Sequence, residues 1–151
     1  MLDDGDLKLL AALQRDSTLT AQDLGDALNM SASQAGRRRQ RLEAEGYIAG
    51  YRARLSPEKV GLTVEAFIQI VMATHTEKNA RDFVRLTQIR PEVVGAWTLT
   101  GEADYLLRVY CTDLAALNNL VQQILLPHPA VSRVQSQIVM ERVKSDAPLP
   151  V

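Results

Sequence analysis

A segment near the start of the chain, SASQAGRRRQRLEAEG at residues 31–46, carries the signals for both ends of one helix. Ser31 and Gln34 have the spacing of a capping box, in which each side chain accepts the backbone N–H of the other residue. Gly46 is the kind of residue that ends a helix in the left-handed conformation. The sequence therefore predicts a helix between these limits, and the neighbouring segments are interpreted around it.

The predicted helix has an apolar side and a basic side. Ala35 and Leu42 fall together on a helical wheel, as the buried residues of an amphipathic helix do. Another side carries one amide and three guanidinium groups, those of Gln34, Arg37, Arg38 and Arg41. Glutamine and arginine pair with the edges of adenine and guanine, so this side favours contact with DNA. The alternative is that this side is simply a solvated helix face. The flanking segments distinguish a DNA-binding face from a solvated one.

The flanking segments predict a winged helix-turn-helix. Leucine spacing predicts helices over residues 4–15 and 20–28, and the stretch YIAGYRARL at residues 47–55 suits a short two-stranded wing or a single strand leaving the domain. Helix, turn, basic helix and wing is the layout in which the basic helix enters the major groove. Charge is segregated accordingly: residues 1–30 carry a net charge of −4 and residues 31–55 a net charge of +4, although the whole chain is at −1.

The second half predicts a ferredoxin-like βαββαβ domain, which makes the fold class α+β. Strands are expected over residues 62–73, 93–100, 105–111 and 131–143, with helices after the first and third strands. One face of such a sheet is bare and apolar, which predicts at least a dimer. The predicted domains are the winged helix-turn-helix over 1–55, a linker over 56–61, the ferredoxin-like domain over 62–144 and a flexible tail over 145–151.

Composition argues against several other functions. A single cysteine and two histidines distant in sequence, His75 and His128, make a disulfide impossible and a metal site improbable, and no cofactor is expected. No nucleophile stands at a suggestive spacing from a base, so no catalytic residue is assigned. Without an apolar run of membrane-spanning length or a signal region, a cytoplasmic location and no membrane partner are expected.

Three motifs give the chain a close resemblance to the Lrp/AsnC (leucine-responsive/asparagine-synthesis) transcriptional regulators. They are S…RR.QRLE..G.I.GY over residues 31–51, L.P…G over 55–61 and TG..DYLL over 100–107. The resemblance implies a transcriptional regulator that binds double-stranded DNA. It also implies that the second half dimerises, that dimers often assemble into octamers, and that small effectors, commonly amino acids, bind in clefts between second-half domains.

The resemblance also assigns site residues. The positions that match the DNA-recognition helix are Ser31, Ser33, Gln34, Arg37, Arg38 and Arg41. Two further arginines in the wing region, Arg52 and Arg54, are predicted from the residues themselves to hold phosphates, as Arg38 is. Base contacts are expected from Gln34, Arg37 and Arg41.

Effector residues are expected at two places. Gly101 and Asp104 match the family's effector loop, and the strand with Ser132, Val134 and Ser136 corresponds to the far side of the family's cleft. In the loop itself, backbone amides around Gly101 suit the carboxylate of an amino acid. Its ammonium group suits the carboxylates of Glu102 and Asp104, and the hydroxyls of Thr98 and Thr100 offer further hydrogen bonds. The residues alone favour an ordinary polar turn in which Gly101 has positive φ and Asp104 bonds the loop backbone; the resemblance favours effector binding.

The chain departs from the family pattern at Arg39, where members usually have valine, and at Gly36, which costs a helix about 1 kcal/mol relative to alanine. Either Arg39 extends outward or the helix packs unusually. Two other functions remain open at this point. One is a ferredoxin-like enzyme related to the tetrapyrrole decarboxylases that resemble this family. The other is an architectural DNA-binding protein without a dedicated effector.

Overall fold

The computed structural model describes all residues from Met1 to Val151. The chain forms two compact units. The helical unit comprises Met1–Arg54 together with Val143–Val151, and the sheet unit comprises Leu55–Arg142. The finer domain limits expected from the sequence, including the linker and the tail, stay predictions.

The helical unit contains the three predicted helices, α1 (Asp4–Arg15), α2 (Ala21–Leu28) and α3 (Ala32–Ala44). Each begins with a capping box, formed by the pairs Asp3 and Asp6, Thr20 and Asp23, and Ser31 and Gln34. These reciprocal bonds satisfy backbone N–H groups that the first turn of a helix leaves unpaired. The cap that the sequence predicted at Ser31 is confirmed.

A tight turn joins α2 to α3. Asn29 takes the left-handed conformation with φ of 55°, and the Met30 N–H donates to the Gly25 carbonyl at 3.0 Å. A Cβ atom on Gly25 would lie 2.7 Å from the Met30 carbonyl oxygen, so only glycine lets the chain turn this closely. The helices then close on an apolar core of Leu9, Leu13, Leu24, Ala35 and Leu42.

The segment after α3 does not form the predicted two-stranded wing. Residues 49–56 contain no strand, and no backbone hydrogen bond ties residues 49–55 to any other part of the chain. Tyr51 instead directs its hydroxyl to Glu43 on α3 at 2.7 Å. This side-chain bond holds the segment against α3. In a hairpin, by contrast, the segment would be held by backbone hydrogen bonds between two strands.

The sheet unit has the predicted βαββαβ order. After a short 3₁₀ turn at Glu58–Val60, its elements are β1 (Val64–Met72), α4 (Glu77–Ile89), β2 (Val93–Thr98), β3 (Tyr105–Cys111), α5 (Leu114–Asn119) and β4 (Val131–Ile138). Helix α5 continues as a π-helical stretch over Leu120–Leu125. The four strands are antiparallel in the order β2-β3-β1-β4, which confirms the ferredoxin-like arrangement. Strand β4 ends before the predicted Val143 because β1, its only neighbour, begins at Val64.

One face of the sheet packs against the helices. Its core includes Ala66, Ile68 and Ile70 of β1, Leu107 and Val109 of β3, and Phe83 of α4, all fully buried. The alternate residues of each strand point to the other face, since side chains alternate along a strand. No helix of the protein is long and apolar enough to cross a membrane.

The second face of the sheet is mixed in character rather than apolar throughout. Glu65 accepts a hydrogen bond from Arg108 at 2.7 Å and another from Arg142 at 2.8 Å, although only 9% of Glu65 is exposed. Burial raises the pKa of Glu65, but these bonds outweigh it and the pKa is lowered. Trp97 on β2 lies half exposed over Gly95 on the same face. The expected apolar face therefore combines a buried ion-pair cluster with an exposed aromatic residue.

Candidate DNA interface and effector loop

The basic side of α3 forms a shallow concavity of about 340 Å³. Four of the predicted DNA-binding residues line it beside Asp3, namely Gln34, Arg37, Arg38 and Arg41. Ser31 and Ser33 are exposed at the start of the same helix. Arg52 and Arg54 lie apart from this concavity, on the irregular segment after α3, where they line a groove with the end of α1. The structure thus brings the predicted residues of α3 together, whereas Arg52 and Arg54 of the predicted wing lie apart from them.

Two of these arginines are held by a carboxylate of α1. Asp6 is completely buried and receives hydrogen bonds from Arg38, at 2.8 Å, and from Arg41. Burial by itself raises the pKa of Asp6. The Asp3 backbone N–H and the two guanidinium groups more than offset this and lower the pKa from 3.8 to about 2. Asp6 is therefore ionised at neutral pH and restrains the guanidinium groups of both arginines.

The remaining helix residues differ in how they are engaged. The Ser31 hydroxyl accepts the Gln34 N–H at 3.1 Å, and the Gln34 amide oxygen accepts the Ser31 N–H at 3.0 Å. The cap uses the oxygen of Gln34, while its amide nitrogen has no partner and can still donate. Arg37 makes only a long bond of 3.4 Å to the Ser33 carbonyl of its own helix. Arg37 is thus the arginine of α3 that is least committed to the rest of the chain.

Arg39 is the residue whose place the sequence left open. Its side chain extends along the surface and donates to the Leu19 carbonyl at 2.9 Å, to Glu43 at 3.1 Å and to the Tyr51 hydroxyl at 3.1 Å. Its guanidinium also lies 5.0 Å from the centre of the Tyr51 ring, within the range of a cation–π contact. The first of the two alternatives, outward extension, is the one found. Ala35 and Leu42 accordingly keep their buried places in the core.

The turn between β2 and β3 carries the predicted effector loop. Gly101 has φ of 112°, which favours glycine, and the Leu99 N–H donates to the Asp104 carbonyl at 2.9 Å. The Asp104 side chain accepts the Met72 N–H at 2.7 Å, and the Asp104 N–H donates to the Ile70 carbonyl at 2.8 Å. Gly101 thus has the positive φ expected of a structural turn. The Asp104 side chain, however, bonds β1 and not the backbone of its own loop, and it fixes the loop to the end of β1.

A pocket of about 360 Å³ opens beside this loop. Of the predicted effector residues, Thr98 and Asp104 line it, while Thr100, Gly101 and Glu102 are exposed on the loop outside it. The other wall comes from the connection between β1 and α4, which includes Thr74, His75 and Thr76. The His75 Nδ1 atom lies 3.8 Å from the Asp104 carboxylate. None of these three residues was predicted from the sequence, although a βαββαβ topology places both connections at the same end of the strands.

The predicted residues of β4 do not join this pocket within one chain. Val134 pairs with Ile70 and Ser136 with Ile68, while the Ser132 hydroxyl donates to the Val71 carbonyl at 3.1 Å. Strand β4 is one edge of the sheet and β2, with Thr98, is the other. Strands β1 and β3 therefore separate the two sets of residues.

Comparison with protein families matches both units. Residues 2–43 match an AsnC-type helix-turn-helix domain, and residues 65–149 match an Lrp/AsnC ligand binding domain. The DNA-binding transcriptional activator DecR of Escherichia coli (strain K12) is 38% identical over 151 residues, covering 100% of this chain and 99% of that protein. The glutamate uptake regulatory protein of Zymomonas mobilis is 32% identical over 150 residues, covering 99% and 91%.

Solved structures give the same result. A transcriptional regulator of Neisseria meningitidis in complex with L-Met superposes with a TM-score of 0.95 at 37% identity, covering 99% of this chain and 97% of that one. An AsnC family transcriptional regulator from Agrobacterium tumefaciens superposes with a TM-score of 0.92 at 34% identity over the same shares. The whole chain, rather than one unit, is similar to these regulators.

Proposed function

Because the chain belongs to the Lrp/AsnC family of transcriptional regulators, we propose that it binds DNA sequence-specifically and that a small effector, an amino acid, modulates this binding. The observation that carries the proposal is the concavity on α3, where Gln34, Arg37, Arg38 and Arg41 stand together on the second helix of a helix-turn-helix. That helix is the one that enters the major groove in this motif. A DNA regulator acts on the chromosome, so we place the protein in the cytoplasm.

Within the proposed interface the residues have different roles. Arg37 and the amide nitrogen of Gln34 are assigned to base edges, since neither is committed elsewhere. Arg41 joins them with the guanidinium nitrogens that Asp6 leaves available. Arg38, Arg52 and Arg54 are assigned to phosphates, which position the helix without specifying sequence. Ser31 and Ser33, at the exposed start of α3, complete the set of backbone contacts.

The proposed DNA-binding form is a dimer joined through the sheet unit. One module of this size makes few contacts, so useful affinity requires two modules on a roughly palindromic site. The second face of the sheet, with half-exposed Trp97, is the surface that a second copy would cover. Assembly of dimers into an octamer, which the family resemblance implies, is part of the same proposal.

The proposed effector site is built around the β2–β3 loop. Backbone amides near Gly101 suit a carboxylate, and Thr98, Thr100, Glu102 and Asp104 supply hydroxyls and negative charge for an ammonium group. Ser132, Val134 and Ser136 would belong to the same site only from another subunit, because β1 and β3 separate them from the loop within one chain. The L-Met complex of the Neisseria meningitidis regulator supports an amino acid as the class of ligand.

The first experiment measures binding of the purified protein to DNA upstream of its own gene and to a random fragment of equal length. Fluorescence anisotropy at two salt concentrations, with and without pooled amino acids, covers each part of the proposal. Preferential binding to the upstream DNA that weakens with salt and changes with the pool is expected. Equal affinity for both fragments would favour an architectural protein. An absence of binding at low salt would remove the DNA hypothesis and return attention to catalysis, which we exclude from the proposal because the relatives are regulators.

A further inference from the structure

Arg39 connects three parts of the helical unit through hydrogen bonds: the residue before α2, helix α3 and the segment after α3. One guanidinium nitrogen binds the Leu19 carbonyl, which directly precedes the cap of α2. The Nε atom binds both Glu43 on α3 and the Tyr51 hydroxyl, and Tyr51 in turn donates to Glu43. We call Leu19, Arg39, Glu43 and Tyr51 the Arg39 cluster. A valine at position 39 could form none of its hydrogen bonds.

The cluster is the main attachment of the segment that follows α3. The backbone of residues 49–55 makes no hydrogen bond to the rest of the chain, whereas Ile48 is still bonded to Leu42. Tyr51 is thus the only residue of the segment whose side chain has hydrogen-bond partners. An unattached segment of this length samples many conformations, and each ordered residue loses backbone entropy. The hydrogen bonds of the Tyr51 hydroxyl, beside the contact of its ring with the Arg39 guanidinium, therefore order the segment.

The segment carries the two arginines assigned to phosphates. The Cα atom of Arg52 is about 3.8 Å from that of Tyr51, and Arg54 follows two residues later. Neither arginine has a protein partner, and both are exposed. The position of Tyr51 consequently limits where the charges of Arg52 and Arg54 can lie relative to α3.

We propose that Arg39 is a positioning residue for DNA binding, which acts by fixing Tyr51 and hence the phosphate contacts of Arg52 and Arg54. This inference rests on the proposed function for its effect on DNA. Its structural half, the ordering of residues 49–55 by Arg39, holds independently of any ligand. Arg39 itself contacts no DNA in this proposal, because its guanidinium is occupied by Leu19, Glu43 and Tyr51.

Three variants of the full chain test the proposal: Arg39→Val, Arg39→Lys and Tyr51→Phe. Valine removes the cluster, lysine keeps the charge without the planar fork that serves several acceptors, and phenylalanine removes only the hydroxyl. Arg85→Val is the charge-matched control, since Arg85 is exposed on α4 in the sheet unit and has no partner. Circular dichroism establishes that each variant keeps its helices.

Backbone NMR order parameters of residues 49–55 without DNA are measured first. Lower order parameters are expected in Arg39→Val and Tyr51→Phe, intermediate values in Arg39→Lys, and no change in Arg85→Val. Unchanged order parameters in Arg39→Val would overturn the inference whether or not the protein binds DNA. If the wild-type protein fails to bind DNA, the proposed function falls, and the order parameters still decide the structural half.

DNA affinity as a function of salt is measured second. Arg39→Val and Tyr51→Phe are expected to lose affinity about tenfold and to reduce the magnitude of the slope of log K against log[salt] by about 2 per module, because two phosphate contacts are lost. Rescue is expected to be partial in Arg39→Lys. A loss in Arg39→Val with full affinity in Tyr51→Phe would mean that Arg39 contacts DNA directly, which contradicts the proposal. A loss of affinity with an unchanged salt slope would contradict it as well.

Discussion

At the scale of single residues, the most constrained side chain is Asp6. It is buried without exposure to solvent and is satisfied only by the Asp3 backbone and by the guanidinium groups of Arg38 and Arg41. A buried carboxylate that loses such partners is destabilising, because its desolvation is no longer compensated. The same residue that holds the fold therefore also restrains two arginines of the proposed DNA interface.

Replacing Asp6 with asparagine should lower the stability of the protein and increase the salt dependence of its DNA binding. We expect Asp6→Asn to lower the free energy of unfolding by about 2 kcal/mol at pH 7, since asparagine lacks the negative charge and its NH₂ group would face N–H donors that the carboxylate accepts. It should also make the salt dependence of DNA binding steeper, because Arg41 is no longer neutralised within the protein, while Arg38 keeps its ion pair with Asp3. Urea denaturation and anisotropy titrations measure the two effects. A variant as stable as the wild type would show that the ion pairs make no net contribution to the free energy of unfolding.

The depressed pKa of Asp6 also predicts a pH dependence. Since the pKa is about 2 in the folded protein and 3.8 is the ordinary value, the folded state binds its proton less readily than the unfolded chain. The stabilisation is complete above pH 4 and is lost as the pH falls from about 4 to 2. Urea titrations across this range should show a smaller decline in Asp6→Asn than in the wild type. Equal declines would assign the acid sensitivity to other carboxylates.

Two glycines of the helical unit should respond oppositely to the same substitution. A Cβ atom on Gly36 would meet only the Ala21 Cβ at 3.6 Å, an ordinary contact, so Gly36→Ala should stabilise the unit by about 1 kcal/mol through helix propensity. Gly25→Ala would place its Cβ 2.7 Å from the Met30 carbonyl and should destabilise by about 1–3 kcal/mol. Thermal denaturation compares the two. Destabilisation by Gly36→Ala would show that the glycine serves the helix in another way.

At the scale of elements, local signals were predictable and contacts between distant segments were not. The capping box at residues 31–34 involves residues three apart, so the sequence indicated the start of α3. The pairing of Arg38 and Arg41 with Asp6 joins residues 32 and 35 positions apart, which no local spacing indicates. The wing was mispredicted because alternation and a glycine resemble a hairpin, while the bond from Tyr51 to Glu43 cannot be inferred from spacing. The pocket beside the β2–β3 loop likewise required the folded topology to bring in residues 74–76.

The β2–β3 loop allows its structural and effector roles to be separated at Asp104. Asp104→Asn keeps an oxygen that accepts the Met72 N–H but removes the charge proposed to hold an ammonium group. It should leave the thermal stability unchanged and weaken the response of DNA binding to amino acids at least about fivefold. Asp104→Ala removes both functions and should lower stability as well. An unaltered amino-acid response in Asp104→Asn would remove Asp104 from the effector site.

At the scale of the whole molecule, the proposed function depends on a second copy. Trp97 is the exposed aromatic residue on the uncovered face of the sheet, and aromatic residues of this kind dominate the energetics of interfaces. Trp97→Glu should therefore shift the protein toward a monomer and reduce its affinity for a two-half-site DNA more than its affinity for a single half-site. Trp97→Phe is the matched control, and sedimentation velocity measures the assembly. A Trp97→Glu protein that remains fully dimeric would place the interface elsewhere.

The helical unit is assembled from two stretches of chain, and its second stretch is attached when Leu149 exchanges two hydrogen bonds with Gln14, 135 residues earlier. During synthesis on the ribosome, the three helices therefore emerge first and lack this attachment until the entire sheet unit has been made. A nascent chain that already displays α3 is a single module without its partner. In the proposed function, where DNA is bound by a dimer joined through the sheet unit, stable occupation of a promoter would therefore follow synthesis of that unit, whatever the moment at which the helices fold.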